Sequence, residues 1–178
     1  MISEQDQNDT VSKILDAAEF RIRNHGFNAF SFRDIAADVG IKSASVHYHF
    51  PTKADLGEAV LERYSASMKA LLTNQTTSAE ERLEAYIARH KESTKCLAGV
   101  MAAELVSLPE ALNQAVKQYF AEQLDTLKEL FQQRYPKDKK KKSKVRAQQF
   151  LAGLQGGLLL AHTLNDKKIV ERTLKELV

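Results

Sequence analysis

The 178-residue chain holds one cysteine, three prolines, seven glycines and no tryptophan. A single thiol leaves no internal disulfide framework and no cysteine-based zinc site, and it suits a reducing compartment. So few helix breakers, beside 43 % hydrophobic residues and abundant Ala, Leu, Glu, Lys and Gln, point to helices around a sizeable core. No apolar run reaches the roughly 18 residues a membrane span needs. The amino terminus, "MISEQDQNDT", is polar and acidic rather than basic and then apolar, so no signal peptide is read there and a cytoplasmic location is expected.

Charge of one sign is also scarce outside a single segment. The net charge is +3, but "KDKKKKSK" (137–144) alone supplies +5, which leaves the rest of the chain at −2. Residues 1–53 hold six basic groups against seven acidic ones. Global charge therefore does not point to nucleic acid, and any such reading has to rest on geometry. The lysine run itself reads as a solvated loop.

What is present is an ordered series of helix signals. "VSKILDAAEFRIRNHGF" places Ile14, Ala18 and Ile22 at i, i+4 and i+8 of an amphipathic helix from about Asn8 to Asn24, with Gly26 just past its end. "SFRD" is a capping-box pattern, Ser31 as cap and Asp34 three residues on, and opens a short helix over Phe32–Val39 that buries Ile35, Ala36 and Val39. Gly40 ends it after about two turns. A third short helix, Ser43–His49, stops by Phe50 because Pro51 disfavours helical geometry in the residue before it. "TKAD" repeats the box with Thr52 and Asp55 and starts a long helix from Lys53 to about Leu72. Two short helices joined at a glycine and braced by longer ones describe a helix-turn-helix unit.

Beyond residue 73, Ser78 and Glu81 cap a helix to about Thr94. "CLAGVMAAELVSL" is apolar nearly all round and reads as one buried helix, with Pro109 opening the next. "PEALNQAVKQYFAEQLDTLKELFQQRY" carries Leu112, Val116, Phe120, Leu124, Leu127 and Phe131 on an apolar stripe. "KVRAQQFLAGLQGGLLLAHTL" and a terminal helix in "DKKIVERTLKELV" complete an all-α chain of about nine helices.

His47 and His49 flank Tyr48 in the third helix. Residues two apart on a helix point about 200° away from each other, so the two imidazoles do not face one metal ion. No nucleophile or acidic orienter sits at fixed spacing, so neither a metal, a cofactor nor an enzyme activity is read. Lys42, Ser43, Ala44 and Ser45 in the first turn are slim enough for a helix to enter a groove about 12 Å wide. His47, Tyr48 and His49 then stand beside it as donors to phosphates or base edges. Val46 and Phe50 anchor the helix inward. Lys53 lies at the start of the next helix, where free N–H groups and the dipole favour a phosphate.

These residues carry a resemblance. "ILDAA", Gly26-Phe27, "SFRDIA", Val39-Gly40-Ile41 and "VHYHFPTKADL", over residues 11–56, resemble the amino-terminal domain of the TetR family of one-component transcriptional regulators. The resemblance implies a three-helix DNA-binding domain in residues 1–53, with helix 53–72 as connector, and an effector-binding and dimerisation domain in 54–178. It implies that the third helix reads DNA, with Ser31, Arg33, Tyr48, His49 and Lys53 among the backbone contacts. It further implies a homodimer on a palindromic double-stranded operator, repressing by occlusion and released by a small-molecule or reactive effector. His47 stands where the family usually has tyrosine, and Lys42 where it usually has a small polar cap, so Ser43 is expected to take the capping role.

The second part resembles the family only in architecture and in "KCLAGVMAAEL…LPEAL". An effector pocket among its apolar helices would be lined by Tyr86, His90, Cys96, Leu97, Met101, Leu105, Phe120, Leu124 and Leu127. Cys96, beside Lys95 and near a helix start, reads either as a reactive thiol or as a small buried hydrophobe. In "FLAGLQGGLLLAH", Gly153, Gly156 and Gly157 permit close helix approach, and Phe150, Leu151, Leu154, Gly157, Leu158 and Ala161 form the expected dimer face. An effector-independent DNA-binding dimer under a protein partner, and an all-α ligand carrier or enzyme, are the other classes left open.

Overall fold

In a computed structural model, residues 4–93, 95–175 and 177 are described; they form nine α-helices with one 3-10 turn and, among the described residues, no strand. In order these are α1 (Glu4–His25), α2 (Phe32–Val39), α3 (Ser43–His49), α4 (Lys53–Thr73), α5 (Ala79–Ser93), α6 (Leu97–Ala103), the 3-10 turn Leu105–Ser107, α7 (Glu110–Arg134), α8 (Lys140–Thr163) and α9 (Lys168–Leu174). The all-α expectation stands. The expected end of α5, Thr94, lies outside the described residues. No described helix is long and apolar enough to cross a membrane.

By packing, the chain divides into two compact units. One comprises residues up to Tyr64 together with Val100–Val116; the other comprises Ser65–Gly99 and Lys117–Val178. The first half of α4 and the start of α7 thus pack with the amino-terminal helices, because the apolar faces of the short α2 and α3 do not close a core by themselves.

In the first unit α1 packs on α2 and α2 on α3. Ile14, Ala18 and Ile22 are fully buried on α1, as their spacing predicts, with Ile35 on α2, Val46 on α3 and Leu56 on α4. Gly26 and Gly40 both adopt left-handed backbone geometry, φ 89° and 75°, and end α1 and α2. Val39, expected in the core, is only half-buried, since α2 ends there, while Phe32 at the start of the helix is buried. Arg63 of α4 pairs with Asp16 and Glu19 of α1 at 2.7 and 3.0 Å, tying the long helices together.

In the second unit the largest buried side chains include Tyr86, Phe131 and Phe150. The Phe131 and Phe150 rings meet edge to face, with centroids 5.7 Å apart. Helix α9 packs along α8, and two glycines permit it. A methyl group at Gly157 would lie 3.4 Å from the Val170 backbone, and one at Gly153 would lie 3.1 Å from Leu177. Gly156 points the other way, with nothing within 4 Å.

Three sequence expectations change here. The run "CLAGVMAAELVSL" is not one buried helix: α6 stops at Ala103, Glu104 turns the chain, and Val106 is fully exposed. The lysine run is not a loop throughout, because Lys140 starts α8. Asp138 supplies the reason, accepting from Lys142 and Arg146 at 2.9 Å each and neutralising charge at a helix end where lysine is unfavourable. On α7, Phe120 and Leu124 are half-buried while Tyr119, Gln123 and Leu130 are buried, so the apolar stripe runs 112, 116, 119, 123, 127, 130.

Candidate nucleic-acid interface

The local chemistry of α2 and α3 fixes their ends before any long-range packing. The Asp34 carboxylate accepts from the Ser31 backbone N–H at 2.7 Å and from its hydroxyl at 2.8 Å, and those bonds hold the acid below the usual carboxylate range. Thr52 and Asp55 make the same pair of bonds at 2.8 Å each. Both boxes form as the sequence predicts. Arg21 of α1 grips Asp38 of α2 with two guanidinium nitrogens, one at 2.8 Å, and lowers that carboxyl as well. This α1–α2 clip had no local signature, since its members stand 17 residues apart.

Helix α3 is held by one side chain from each end of its inner face. Val46 is fully buried and Phe50 nearly so. The rest of the helix is uncovered. Lys42, Ala44, His47 and Tyr48 are exposed, Tyr48 by 74 %, while Ser43, Ser45 and His49 are half-buried. Lys42 caps the helix by backbone alone, and no hydroxyl of Ser43 replaces a side-chain cap, contrary to expectation. Among the described residues the side chains of Arg33, Lys42, Ser43 and Ser45 make no hydrogen bond or ion pair. Their donors are therefore available to something outside the chain.

The histidines diverge as helical geometry requires. The His47 ring packs edge-on against Phe32, centroids 4.6 Å apart, whereas His49 meets Tyr48 at 5.1 Å. Beside His47 lies a shallow open groove of about 510 Å³ lined by Phe30, Ser31, Phe32, Arg33, Ser43, His47 and Lys53. Five of the expected polar or basic residues, Ser31, Arg33, Ser43, His47 and Lys53, thus meet around one depression with Phe30 and Phe32 as its apolar floor. Lys53 behaves differently from a free phosphate donor. Its ammonium turns inward to the Phe30 carbonyl at 2.5 Å and lies 4.3 Å from the Phe30 ring and 4.7 Å from Phe27. Burial pulls its pKa below the ordinary lysine value, against the opposing fields of Glu104 and Asp34.

The expected effector residues do not all fall in one unit. Tyr86, His90, Cys96, Leu97 and Leu127 are buried within the second unit, and Phe120 and Leu124 are half-buried there. Met101 and Leu105 belong to the first unit, and Leu105 sits half-exposed in the 3-10 turn because α6 ends early. The buried polar members form a connected set. Tyr86 donates its hydroxyl to Gln123 at 3.0 Å, and Nδ1–H of His90 donates to the Tyr86 carbonyl at 2.8 Å. Burial pushes the Tyr86 phenol well above its ordinary value, with Cys96 adding to it. Cys96 is buried and its sulfur accepts from the Gly99 N–H at 3.4 Å, so the thiol is enclosed. Gln123 went unnoticed in sequence, although a glutamine on the apolar stripe of α7 was the available signal.

The residues expected at a dimer face lie inside the single subunit. Phe150, Leu151, Leu154, Gly157, Leu158 and Ala161 are all buried within the subunit, where they build the second unit's core. Helix α8 is apolar on its opposite side too: Leu159 is 67 %, Leu160 50 % and Leu164 64 % exposed, with Ala152 and Gly156 on the surface.

Comparison with known proteins agrees with this geometry. Residues 14–60 match the family model described as "Bacterial regulatory proteins, tetR family". A TetR transcriptional regulator from Legionella pneumophila is 32 % identical, with 93 % of each chain covered and a TM-score of 0.82. A TetR-family transcriptional regulator from Agrobacterium tumefaciens is 26 % identical over 96 % of this chain and 97 % of its own, with a TM-score of 0.86. A transcriptional regulator from Saccharomonospora viridis, solved in complex with choline, shares the fold at 19 % identity, a TM-score of 0.74 and coverage of 96 % and 94 %. Among curated proteins none matches the chain.

Proposed function

Given that this chain belongs to the TetR family of DNA-binding transcriptional regulators, we propose that it is a homodimeric repressor whose α3 helices enter successive major grooves of a palindromic operator. The observation that carries the reading is the state of α3. Its inner face is anchored by Val46 and Phe50, while Lys42, Ser43, Ala44, Ser45, His47, Tyr48 and His49 stand uncovered or half-covered with their polar groups largely uncommitted. A helix that presents slim residues first and donors behind them suits a groove about 12 Å wide. Ser31 and Arg33, at the rim of the groove beside His47, suit phosphates on either side of it. Lys53 contributes from within the domain rather than as a projecting cation.

Residues 1–53 are the DNA-binding part, and 54–178 carry dimerisation and effector response. The exposed leucines of α8, with Gly156 open beside them, support a symmetric contact with a second copy. Two α3 helices then lie about 34–36 Å apart on the duplex. The buried hydrogen-bonded set Tyr86, Gln123 and His90 supports a small-molecule site in the second part, and the choline complex of the fold neighbour shows a molecule of that fold holding a small organic cation. An effector releases the operator to the extent that it binds the DNA-incompetent arrangement more tightly. A regulator of the chromosome works in the cytoplasm.

The test is footprinting on the DNA that flanks the chain's own gene. Two protected half-sites with centres about 10–10.5 base pairs apart are expected, lost in Tyr48→Ala and Lys42→Ala. Absence of any protected segment, with the protein folded and dimeric, would overturn the reading.

A further inference from the structure

The floor of the candidate DNA interface is joined to a residue that lies far from it in sequence. Glu104, in the turn after α6, sends its carboxylate to the loop that follows α1. Oε2 accepts from the Asn28 backbone N–H and from the Asn28 side-chain amide, both at 3.2 Å. The same amide donates to the Ser107 hydroxyl at 2.9 Å, and that hydroxyl donates to the Glu104 carbonyl at 2.9 Å. These four bonds hold the turn and the loop in one register.

Gly26 shows how closely the carboxylate approaches. A Cβ there would collide with Glu104 Oε1, and the left-handed φ of 89° excludes most side chains independently. The same loop delivers Phe27 and Phe30, whose rings and whose Phe30 carbonyl hold the Lys53 ammonium. Glu104 also acts on that ammonium through its charge. Ser31 and Arg33 follow Phe30 directly and line the groove with Ser43 and His47.

We infer that Glu104 and Asn28 are positioning residues for DNA binding, the carboxylate fixing the 26–30 loop and, through it, Lys53 and the groove beside α3. Neither residue touches DNA. They remove freedom that the loop would otherwise surrender on binding, so the interface is formed before the duplex arrives. The inference rests on the DNA-binding reading above, and its test separates the two.

The experiment uses the full chain with Glu104→Ala, Asn28→Ala and Lys53→Ala, singly and in pairs. One readout needs no DNA: the rate at which an acetylating reagent modifies Lys53, followed by mass spectrometry. Glu104→Ala and Asn28→Ala should each speed it several-fold, at temperatures where circular dichroism shows both variants folded. The second readout is affinity for the protected promoter segment. Glu104→Ala should weaken it about tenfold, equivalent to freeing one backbone residue before binding. In the Lys53→Ala background the same change should have much less effect, a non-additivity that general loss of stability does not produce. Unchanged Lys53 labelling, or additive losses of affinity, would refute the positioning role. Lack of DNA retention by the unaltered chain would instead sink the underlying reading, while the labelling result still judges the latch.

Discussion

Lys53 and Phe30 are joined twice: the ammonium donates to the Phe30 carbonyl and lies 4.3 Å from the centre of the same residue's ring. A cation that sequence reading places on the surface is therefore half-buried against aromatic faces, where cation–π attraction offsets part of its lost hydration. This pair gives the first expectation. Burial lowers the Lys53 pKa from the ordinary 10.5, so the unfolded chain holds that proton more tightly. Stability then rises as pH climbs from the lowered value towards 10.5, because folding releases a proton in that window. In Lys53→Gln this portion of the rise should disappear. Urea midpoints of both proteins at several pH values check it, and parallel curves would count against the inward ammonium.

Gly57 tests packing in the first unit. A Cβ there would lie 2.7 Å from the Phe27 ring and 2.9 Å from Leu112. Gly57→Ala should therefore destabilise the chain by about 1–3 kcal/mol despite alanine's better helix propensity. Thermal or urea unfolding measures it. A neutral or stabilising result would mean that the Phe27 ring moves aside freely.

Tyr86→Phe removes one hydroxyl and leaves the buried Gln123 carbonyl oxygen without the donor it now has at 3.0 Å. The expected loss is about 1–2 kcal/mol, with no change in operator affinity in the absence of effector. A phenylalanine variant as stable as the parent would show that the amide has another partner in reach.

The exposed leucines of α8 test the dimer. Leu159→Asp and Leu160→Asp leave the buried face of the helix intact, since both side chains point to solvent in the single subunit. Each should weaken self-association by about tenfold to a hundredfold, the effect of withdrawing one leucine from a buried contact. Sedimentation velocity reads the change directly. Variants that remain dimeric at the parent's concentration dependence would place the interface elsewhere.

Local rules carried much of the fold into view. The capping boxes at Ser31 and Thr52 need only a hydroxyl and a carboxylate three residues apart, and both form. Gly26 and Gly40 end helices because glycine alone takes a positive φ without steric penalty. Pro51 stops α3 through its own neighbour. The outward set on α3 followed from Val46 and Phe50 pointing in. Helical periodicity misjudged α7 because a 3.6-residue repeat drifts against a strict four-residue count over 25 residues, so Tyr119 and Gln123 displaced Phe120 and Leu124.

Sequence alone settled the all-α class, the order of the short helices α2 and α3, and Val46 and Phe50 as the inward anchors of α3, since each depends on residues within a few positions of one another. Tertiary structure decided which apolar side of α8 is internal, where α6 breaks, that Lys53 turns inward and that Glu104 reaches Asn28. A helix with leucine on both sides gives no local sign of which side its own chain will cover. A carboxylate likewise shows its partner only when folding brings residues 76 positions apart into hydrogen-bonding distance.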